Sequence, residues 1–210
     1  MKVMVLGAGG IGGIVGGRLA QHGCDVTFLV RERRKAQLDL DGLCIESPQG
    51  HAKLQVKSTL QADVSTPPDL ILLTCKAYDL NSAIEAIRPA MGPNTAVLPL
   101  LNGIAHMDRL NREFGQARVL GGTIRMQATL TPTGTIRQLN DWQTLTFGEQ
   151  DAPRIWFESA IVSRVVARAR NIDLLLEAQL AGPFFTDSGL DVWLKPAVID
   201  RDRTALGALA

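Results

Sequence analysis

Cysteine is scarce in this sequence, and neither sign of charge is in clear excess. The 210 residues include three cysteines, Cys24, Cys44 and Cys75, which lie far apart and form no CxxC pair. This pattern excludes a disulfide framework and predicts a reduced, cytoplasmic protein. The formal net charge is +1, so electrostatics give no reason to expect binding to nucleic acid or to an anionic membrane surface.

Metal-ligand spacing and long apolar runs are also missing. The three histidines, His22, His51 and His106, show no metal-ligand spacing, so core or surface roles are expected and no metal site is predicted. No run of about eighteen apolar residues occurs, which predicts no membrane-spanning helix. The first twenty residues resemble a secretory signal only superficially, because seven glycines and Arg18 interrupt the apolar stretch.

Glycine, by contrast, is concentrated near the start of the chain. Residues 2–6 (KVMVL) predict a buried strand, and residues 7–12 predict a turn. Apolar residues at helical spacing predict a helix over residues 11–22, which Gly23 ends. Residues 25–30 (DVTFLV) predict a second strand, so the first thirty residues have the order of a βαβ unit.

The rest of the chain continues this alternation. Further strands are predicted over residues 43–46, 52–56, 69–75, 95–101, 119–130, 135–139 and 144–147, and helices over residues 80–91, 104–114, 155–169 and 173–180. The first two of these strands form a hairpin through an SPQG turn, and the last three suggest an antiparallel extension at the sheet edge. The predicted fold class is α/β, a Rossmann-type domain with a parallel sheet and that antiparallel extension.

The glycine-rich turn has the spacing of a dinucleotide-binding loop. Its GxGxxG motif consists of Gly7, Ala8, Gly9, Gly10, Ile11 and Gly12. Gly7 allows a tight exit from the strand, Gly9 leaves room for a pyrophosphate, and Gly12 lets the helix pack closely on the strand. The N–H groups at the helix N-terminus would bind the phosphates. A glycine-rich turn without a ligand is the alternative.

The residue after the second strand indicates which dinucleotide fits. NAD-specific folds place Asp or Glu there to bind the ribose 2′-hydroxyl, whereas this chain has Arg31. A guanidinium binds a phosphate through its planar fork, which predicts NADP(H) with Arg31 as the first contact and Arg33 or Arg34 in support. Glu32 would favour NAD only if its side chain pointed to the same side as that of Arg31. A solvated, charged helix start is the alternative for this segment.

Further along the chain, Cys75-Lys76-Ala77-Tyr78 and Leu101-Asn102-Gly103-Ile104 follow the predicted strands 69–75 and 95–101. Together with GAGGIG and Arg31, in this order and at this spacing, they make the chain resemble the ketopantoate reductase family over residues 1–195. Those enzymes reduce 2-dehydropantoate to (R)-pantoate with NADPH, a step toward coenzyme A.

The resemblance implies roles for three further residues. Lys76 would hold the coenzyme or the substrate carboxylate, and Asn102 would bridge the coenzyme ribose and the substrate hydroxyl. The family also places a coenzyme contact at Ala128. The alternative for Lys76 is a surface lysine whose aliphatic stem covers apolar groups, and the alternative for Asn102 is a residue that only forms the Asn-Gly turn.

The resemblance also implies a proton donor. In the family a lysine of a W-x-K motif protonates the ketone oxygen, and Trp193-Leu194-Lys195 matches that motif. Lys195 is therefore expected to be the general acid. The alternative is a lysine on a helix surface beside a partly buried tryptophan.

The resemblance ends after Lys195. The family continues with a long helix there, whereas this chain has Pro196, which costs about 3 kcal/mol inside a helix. Residues 1–188 are expected to form the NADP-binding domain and residues 189–210 a remnant of a helical substrate domain that is largely missing. Either the chain is a truncated or frameshifted relative, or it is a short form that completes its cleft with a partner chain.

Three functions follow as expectations. The first is NADPH-dependent reduction of 2-dehydropantoate, impaired if the chain is truncated. The second is a non-catalytic NADP-binding module, and the third is a reductase of another 2-oxoacid. The expected partner is a small 2-oxoacid, and uncovered apolar surface would favour a homo-oligomer.

Overall fold

The computed structural model describes residues 1–141, residues 143–150 and the backbone of residues 175–177. Its helices are α1 (Gly10–Gln21), α2 (Glu32–Asp41), α3 (Leu80–Ile87) and α4 (Ala105–Phe114). Its strands are β1 (Lys2–Leu6), β2 (Asp25–Leu29), β3 (Leu43–Glu46), β4 (Ala52–Leu54), β5 (Lys57–Thr59), β6 (Leu70–Leu73), β7 (Ala96–Pro99), β8 (Leu120–Arg125), β9 (Ala128–Leu130), β10 (Ile136–Gln138), β11 (Thr144–Glu149) and β12 (Leu175–Glu177). Short 3₁₀ turns span Gln61–Asp63, Ala77–Asp79, Arg88–Ala90 and Gln116–Arg118.

A five-stranded parallel sheet forms the centre of the fold, with the strand order β5-β2-β1-β6-β7. Leu6 at the end of β1 pairs with Leu29 of β2 and with Leu73 of β6, and Leu73 pairs with Pro99 of β7. Four neighbouring strands therefore end at the same level. The loops that follow them meet at one edge of the sheet, which is where open α/β folds bind their ligands.

The two faces of this sheet are covered by different helices. Alternate side chains of β1 point to opposite faces, as expected for a strand. Val5 packs in the same buried cluster as Ile14 of α1, whereas Met4 packs in a second cluster with Ile84 of α3 and Leu110 of α4. Strand β6 (LILL) is buried along its whole length, as expected for a parallel strand covered on both faces.

A second sheet, β4-β3-β10-β9, packs on the outer side of α1. Strands β3 and β4 form an antiparallel hairpin, and β10 runs parallel to β3 and antiparallel to β9. Ile136 of β10 lies against Gly13, and Ile45 of β3 lies against Gly17. The glycines of α1 thus let the sheet approach the helix backbone closely.

A third sheet extends the central one beyond β7. Strand β11 pairs antiparallel with β8 and parallel with β12, and Val119 next to β8 forms a parallel bridge with Val97 of β7. None of the helices in the described part of the chain is long and apolar enough to cross a membrane.

The βαβ unit, the parallel sheet and the β3–β4 hairpin confirm the predicted α/β fold, and several predicted elements are corrected. The predicted strand 119–130 is two strands, and only β8 stays with β11, because β9 pairs with β10 beside the hairpin. The predicted helix 173–180 contains β12, because three successive leucines fit either periodicity and pairing with β11 selects the strand. The predicted helix 155–169 lies outside the described residues.

The predicted helix 80–91 is shorter than expected. Its α-helical part ends at Ile87, and a 3₁₀ turn over Arg88–Ala90 follows. Pro89 has no N–H to donate, which interrupts the α-helical hydrogen bonds at this point. Strand β5 and helix α2 are elements that the sequence patterns did not predict, although a charged helix start was considered for the segment that begins α2.

Candidate functional site

The candidate site lies at the carboxyl edge of the central sheet. Gly7 follows β1, Arg31 follows β2, Lys76 follows β6 and Asn102 follows β7. Because these four strands end in register, the residues share one edge although up to 95 positions separate them in sequence. The fold brings together every predicted site residue of the described part at this edge or beside its loop.

The glycine-rich loop is open on one side. Gly7 has a φ of +92°, which favours glycine, and its N–H donates to the carbonyl of Leu29 at 2.9 Å. Gly9 is the N-cap of α1 and no side chain caps the helix there; among the described residues, a Cβ at Gly9 would have no neighbour within 4 Å. The uncapped N-terminus of α1 therefore presents N–H groups and positive dipole to open space, which suits an anion.

The other side of the loop is closed by packing. A Cβ at Gly12 would collide with the carbonyl oxygen of Gly7 and with the Thr74 hydroxyl, and one at Gly10 would lie 2.6 Å from the carbonyl oxygen of Ala128. The Ala8 side chain is buried, and Ile11 packs against the core. The loop therefore offers backbone groups, not side chains, to a ligand.

Thr74 supports this loop, and the sequence patterns did not single it out. Its Oγ1 donates to the carbonyl of Leu6 at 2.8 Å, which ties the end of β6 to the end of β1. The sequence feature that indicates this role of Thr74 is a hydroxyl residue directly after a fully apolar strand.

Arg31 extends from the N-cap position of α2. Its side chain is 86% exposed, and its Nη2 lies 3.9 Å from Oδ1 of Asp79, which is 42% exposed. Arg31 follows β2, and Asp79 lies in the loop after β6. Strand β1 lies between β2 and β6 in the sheet, so the glycine-rich loop that follows β1 leaves the sheet between these two strands. The long distance and high exposure make this a weak ion pair that a phosphate could replace.

Arg34 is held differently from Arg31. Its Nε donates to the carbonyl of Ala8 at 3.1 Å, and its Nη1 donates to the carbonyl of Gly134 at 3.0 Å. Burial lowers the pKa of Arg34 from its ordinary value. The sequence patterns offered Arg34 as a phosphate contact, but these hydrogen bonds direct it to the backbone of the glycine-rich loop.

The remaining predicted residues surround the loop. Lys76 and Asn102 are exposed, and the carbonyl of Lys76 accepts a hydrogen bond from the Asp79 N–H at 2.9 Å. Ala128 begins β9 and places its backbone oxygen against Gly10. Lys195 lies outside the described residues.

Cys75 lies beside this edge, directly before Lys76. Burial raises the pKa of its thiol to about 11, so the thiol stays neutral at physiological pH. It is therefore suited to packing and not to nucleophilic or acid–base chemistry.

Comparison with known proteins agrees with this geometry. The family model described as ketopantoate reductase PanE/ApbA matches residues 3–152. The uncharacterized oxidoreductase YkpB of Bacillus subtilis is 37% identical over 154 residues, which cover 73% of this chain and 50% of that protein. A 2-dehydropantoate 2-reductase of Pyrococcus horikoshii is 37% identical over 136 residues, which cover 65% of this chain and 44% of that protein.

Solved structures show the same fold. The crystal structure of 2-dehydropantoate 2-reductase from Porphyromonas gingivalis superposes with a TM-score of 0.76 at 25% identity, covering 86% of this chain and 64% of that one. The chain spans about half the length of the curated relatives named above, 50% and 44%.

Proposed function

The chain belongs to the ketopantoate reductase PanE/ApbA family, and from this premise we propose that it binds NADPH and reduces a 2-oxoacid of the 2-dehydropantoate type. The observation that carries the proposal is the open face at Gly9 beside the uncapped N-terminus of α1, with the Arg31 guanidinium at the same sheet edge.

Two features of the site support a 2′-phosphorylated coenzyme. The pyrophosphate would be bound by the N–H groups at the start of α1, as in other GxGxxG loops. The 2′-phosphate would be bound by Arg31, whose exposed guanidinium is free to turn from Asp79 and to pair with phosphate oxygens through two hydrogen bonds.

In this proposal Lys76, Asn102 and Lys195 bind the substrate and protonate it. When bound, NADPH supplies the hydride to the ketone carbon. Lys76, an exposed cation at the sheet edge, would hold the substrate carboxylate or the coenzyme, and Asn102 would hold the reacting oxygen and the coenzyme ribose through its amide. Negative charge develops on the ketone oxygen during the reaction, and the Lys195 ammonium would donate the proton that completes the hydroxyl group.

The domain assignment belongs to the same proposal. Residues 1–188 would bind the coenzyme, and residues 189–210, which contain Lys195, would belong to the substrate domain. The sequence has only three cysteines, far apart and without a CxxC pair, which supports a reducing compartment such as the cytoplasm.

The Arg31 assignment is tested by coenzyme titration. We expect wild-type protein to bind NADPH more tightly than NADH, and Arg31→Gln to weaken NADPH binding about tenfold or more while leaving NADH binding within about twofold. Arg88→Gln is the matched control, since Arg88 is also exposed and ion-paired, on Glu85, and lies after α3 away from the sheet edge. Equal binding of the two coenzymes by wild-type protein would contradict the assignment.

A second candidate function is a coenzyme-binding module without turnover. It is favoured by the open glycine-rich loop and the exposed Arg31, which together account for coenzyme binding without a proton donor. Protein mixed with NADPH and 2-dehydropantoate distinguishes the two functions through the absorbance of the reduced nicotinamide. The reductase is supported if NADPH is oxidised and if Lys195→Ala abolishes this oxidation without changing NADPH affinity. Binding of NADPH without oxidation supports the module. A panel of 2-oxoacids then identifies the substrate.

A further inference from the structure

Arg34 connects three segments that are distant in sequence. It lies in the first turn of α2 and donates to Ala8 in the glycine-rich loop at 3.1 Å and to Gly134 in the β9–β10 turn at 3.0 Å. Its Nη1 also donates to Oε1 of Gln37, one turn further along α2, at 2.6 Å. One guanidinium therefore joins the loop, the helix and a turn of the second sheet.

The β9–β10 turn is shaped for this contact. Gly134 has a φ of +88°, and a Cβ at that position would collide with the side chain of Gln37. Gln37 itself donates from Nε2 to the carbonyl of Thr133 at 3.0 Å. Two successive carbonyls of the turn thus accept hydrogen bonds from α2, so the turn is anchored to the helix.

The second sheet also contacts the loop from the other side. The carbonyl oxygen of Ala128, in β9, lies so close to Gly10 that a Cβ there would be 2.6 Å away. The loop is therefore held between the β9 backbone and the Arg34 guanidinium. The carbonyl of Ala8, within the loop, is directed into this contact, because it accepts the Arg34 hydrogen bond.

The third nitrogen of the Arg34 guanidinium, Nη2, is also shielded from solvent. It has no hydrogen-bond partner among the described residues. A half-buried guanidinium that makes three hydrogen bonds is fixed in one orientation, unlike the exposed guanidinium of Arg31.

We propose that Arg34 is a positioning residue for the phosphate-binding loop, through the hydrogen bonds to Ala8 and Gly134, and that it does not bind the 2′-phosphate. This inference rests on the proposed coenzyme binding. The direction of the loop N–H groups depends on the orientation of the Ala8 peptide, and preorganised donors bind an anion more tightly than mobile ones. Since NADPH and NADH share the pyrophosphate, loss of Arg34 weakens both to the same degree.

The test compares Arg34→Gln and Arg34→Lys with Arg112→Gln. Arg112 on α4 also donates from Nε to a backbone carbonyl, that of Asp108, at 3.2 Å, and its helix packs in the other buried cluster from α1. Two measurements are made well below the unfolding temperature: the dissociation constants of NADPH and NADH, and the hydrogen exchange of loop amides 7–12 without coenzyme.

We expect Arg34→Gln to raise both dissociation constants on the order of tenfold with their ratio unchanged, and to accelerate exchange in the loop while β6 keeps its protection. Arg34→Lys rescues only part of this loss, because an ammonium cannot reach both carbonyls through a planar fork. Arg112→Gln leaves both measurements as in wild-type protein.

Two outcomes overturn the inference. A selective loss of NADPH affinity in Arg34→Gln would make Arg34 a direct phosphate ligand, and unchanged affinities with unchanged loop exchange would remove the positioning role, even if the unfolding temperature fell. If wild-type protein binds neither coenzyme, the proposed function fails, while the exchange measurement still decides whether Arg34 orders the loop.

Discussion

Gly9 and Gly12 belong to one motif, yet their surroundings differ. Space in front of Gly9 is open, whereas a side chain at Gly12 would meet Gly7, Thr74 and, at 3.2 Å, Cγ1 of Val5. In the proposed site Gly9 would leave room for the ligand, whereas Gly12 allows the helix to pack closely. Substitution by alanine separates the two roles.

We expect Gly9→Ala to leave the free energy of unfolding within about 0.5 kcal/mol of wild type, because its φ of −87° suits alanine. The methyl group would occupy the pyrophosphate position and weaken NADPH binding on the order of tenfold or more. Gly12→Ala should instead lower the free energy of unfolding by roughly 1–3 kcal/mol through overpacking. Chemical denaturation and coenzyme titration measure the two effects; full NADPH affinity in Gly9→Ala would place the coenzyme elsewhere.

Asp79 competes for the guanidinium that the proposal gives to the 2′-phosphate. Removing its charge in Asp79→Asn frees Arg31, and an exposed ion pair contributes about 0.2–1 kcal/mol. We therefore expect NADPH to bind up to about fivefold more tightly and NADH to change less. Asp63→Asn, an exposed acid in a 3₁₀ turn before β6, is the control. Weaker NADPH binding in Asp79→Asn would instead make this carboxylate part of the coenzyme site.

At the scale of elements, the contact between α1 and the second sheet supports both the core and the loop. Ile136 of β10 is fully buried against Gly13 in α1, whereas Leu139, just after the same strand, is 59% exposed. Ile136→Ala should lower the free energy of unfolding by roughly 2–5 kcal/mol, and Leu139→Ala should change it by less than about 0.5 kcal/mol. Denaturant titration measures both, and similar values for the two variants would show that β10 does not pack on α1.

Elements with a strong local pattern were predicted well. The first βαβ unit was recognised because its glycine spacing and apolar periodicity lie within thirty residues. Strand β5 could not be predicted because its three residues, KST, show no apolar alternation. It is a strand through its parallel pairing with β2, which is distant in sequence. The sequence pattern predicts a single strand for β8 and β9, because the change of partner sheet leaves no mark in that stretch of sequence.

At the scale of the whole molecule, coenzyme binding should stabilise the folded state. At a free NADPH concentration of about 100 times its dissociation constant, the free energy of unfolding rises by about 2.7 kcal/mol. For a chain of this length that corresponds to an increase of roughly 5–10 °C in the unfolding temperature. NADH at the same concentration should give a smaller increase, and thermal scans followed by circular dichroism measure both. An unchanged unfolding temperature with both coenzymes would exclude the binding site proposed for the loop.

Short-range chemistry was enough to predict the glycine-rich loop, the strands that flank it and Arg31 at the end of the second strand, whereas the roles expected for Lys76 and Asn102 came from the resemblance to the family. Those features depend on neighbours a few positions away and on the rule that parallel strands end at a common edge. The partners of Arg34 could not be predicted in this way, since Ala8 and Gly134 lie 26 and 100 positions from it. Their meeting depends on β10 pairing with β3 and packing on α1, and such long-range contacts form only when the chain buries its separate apolar faces together.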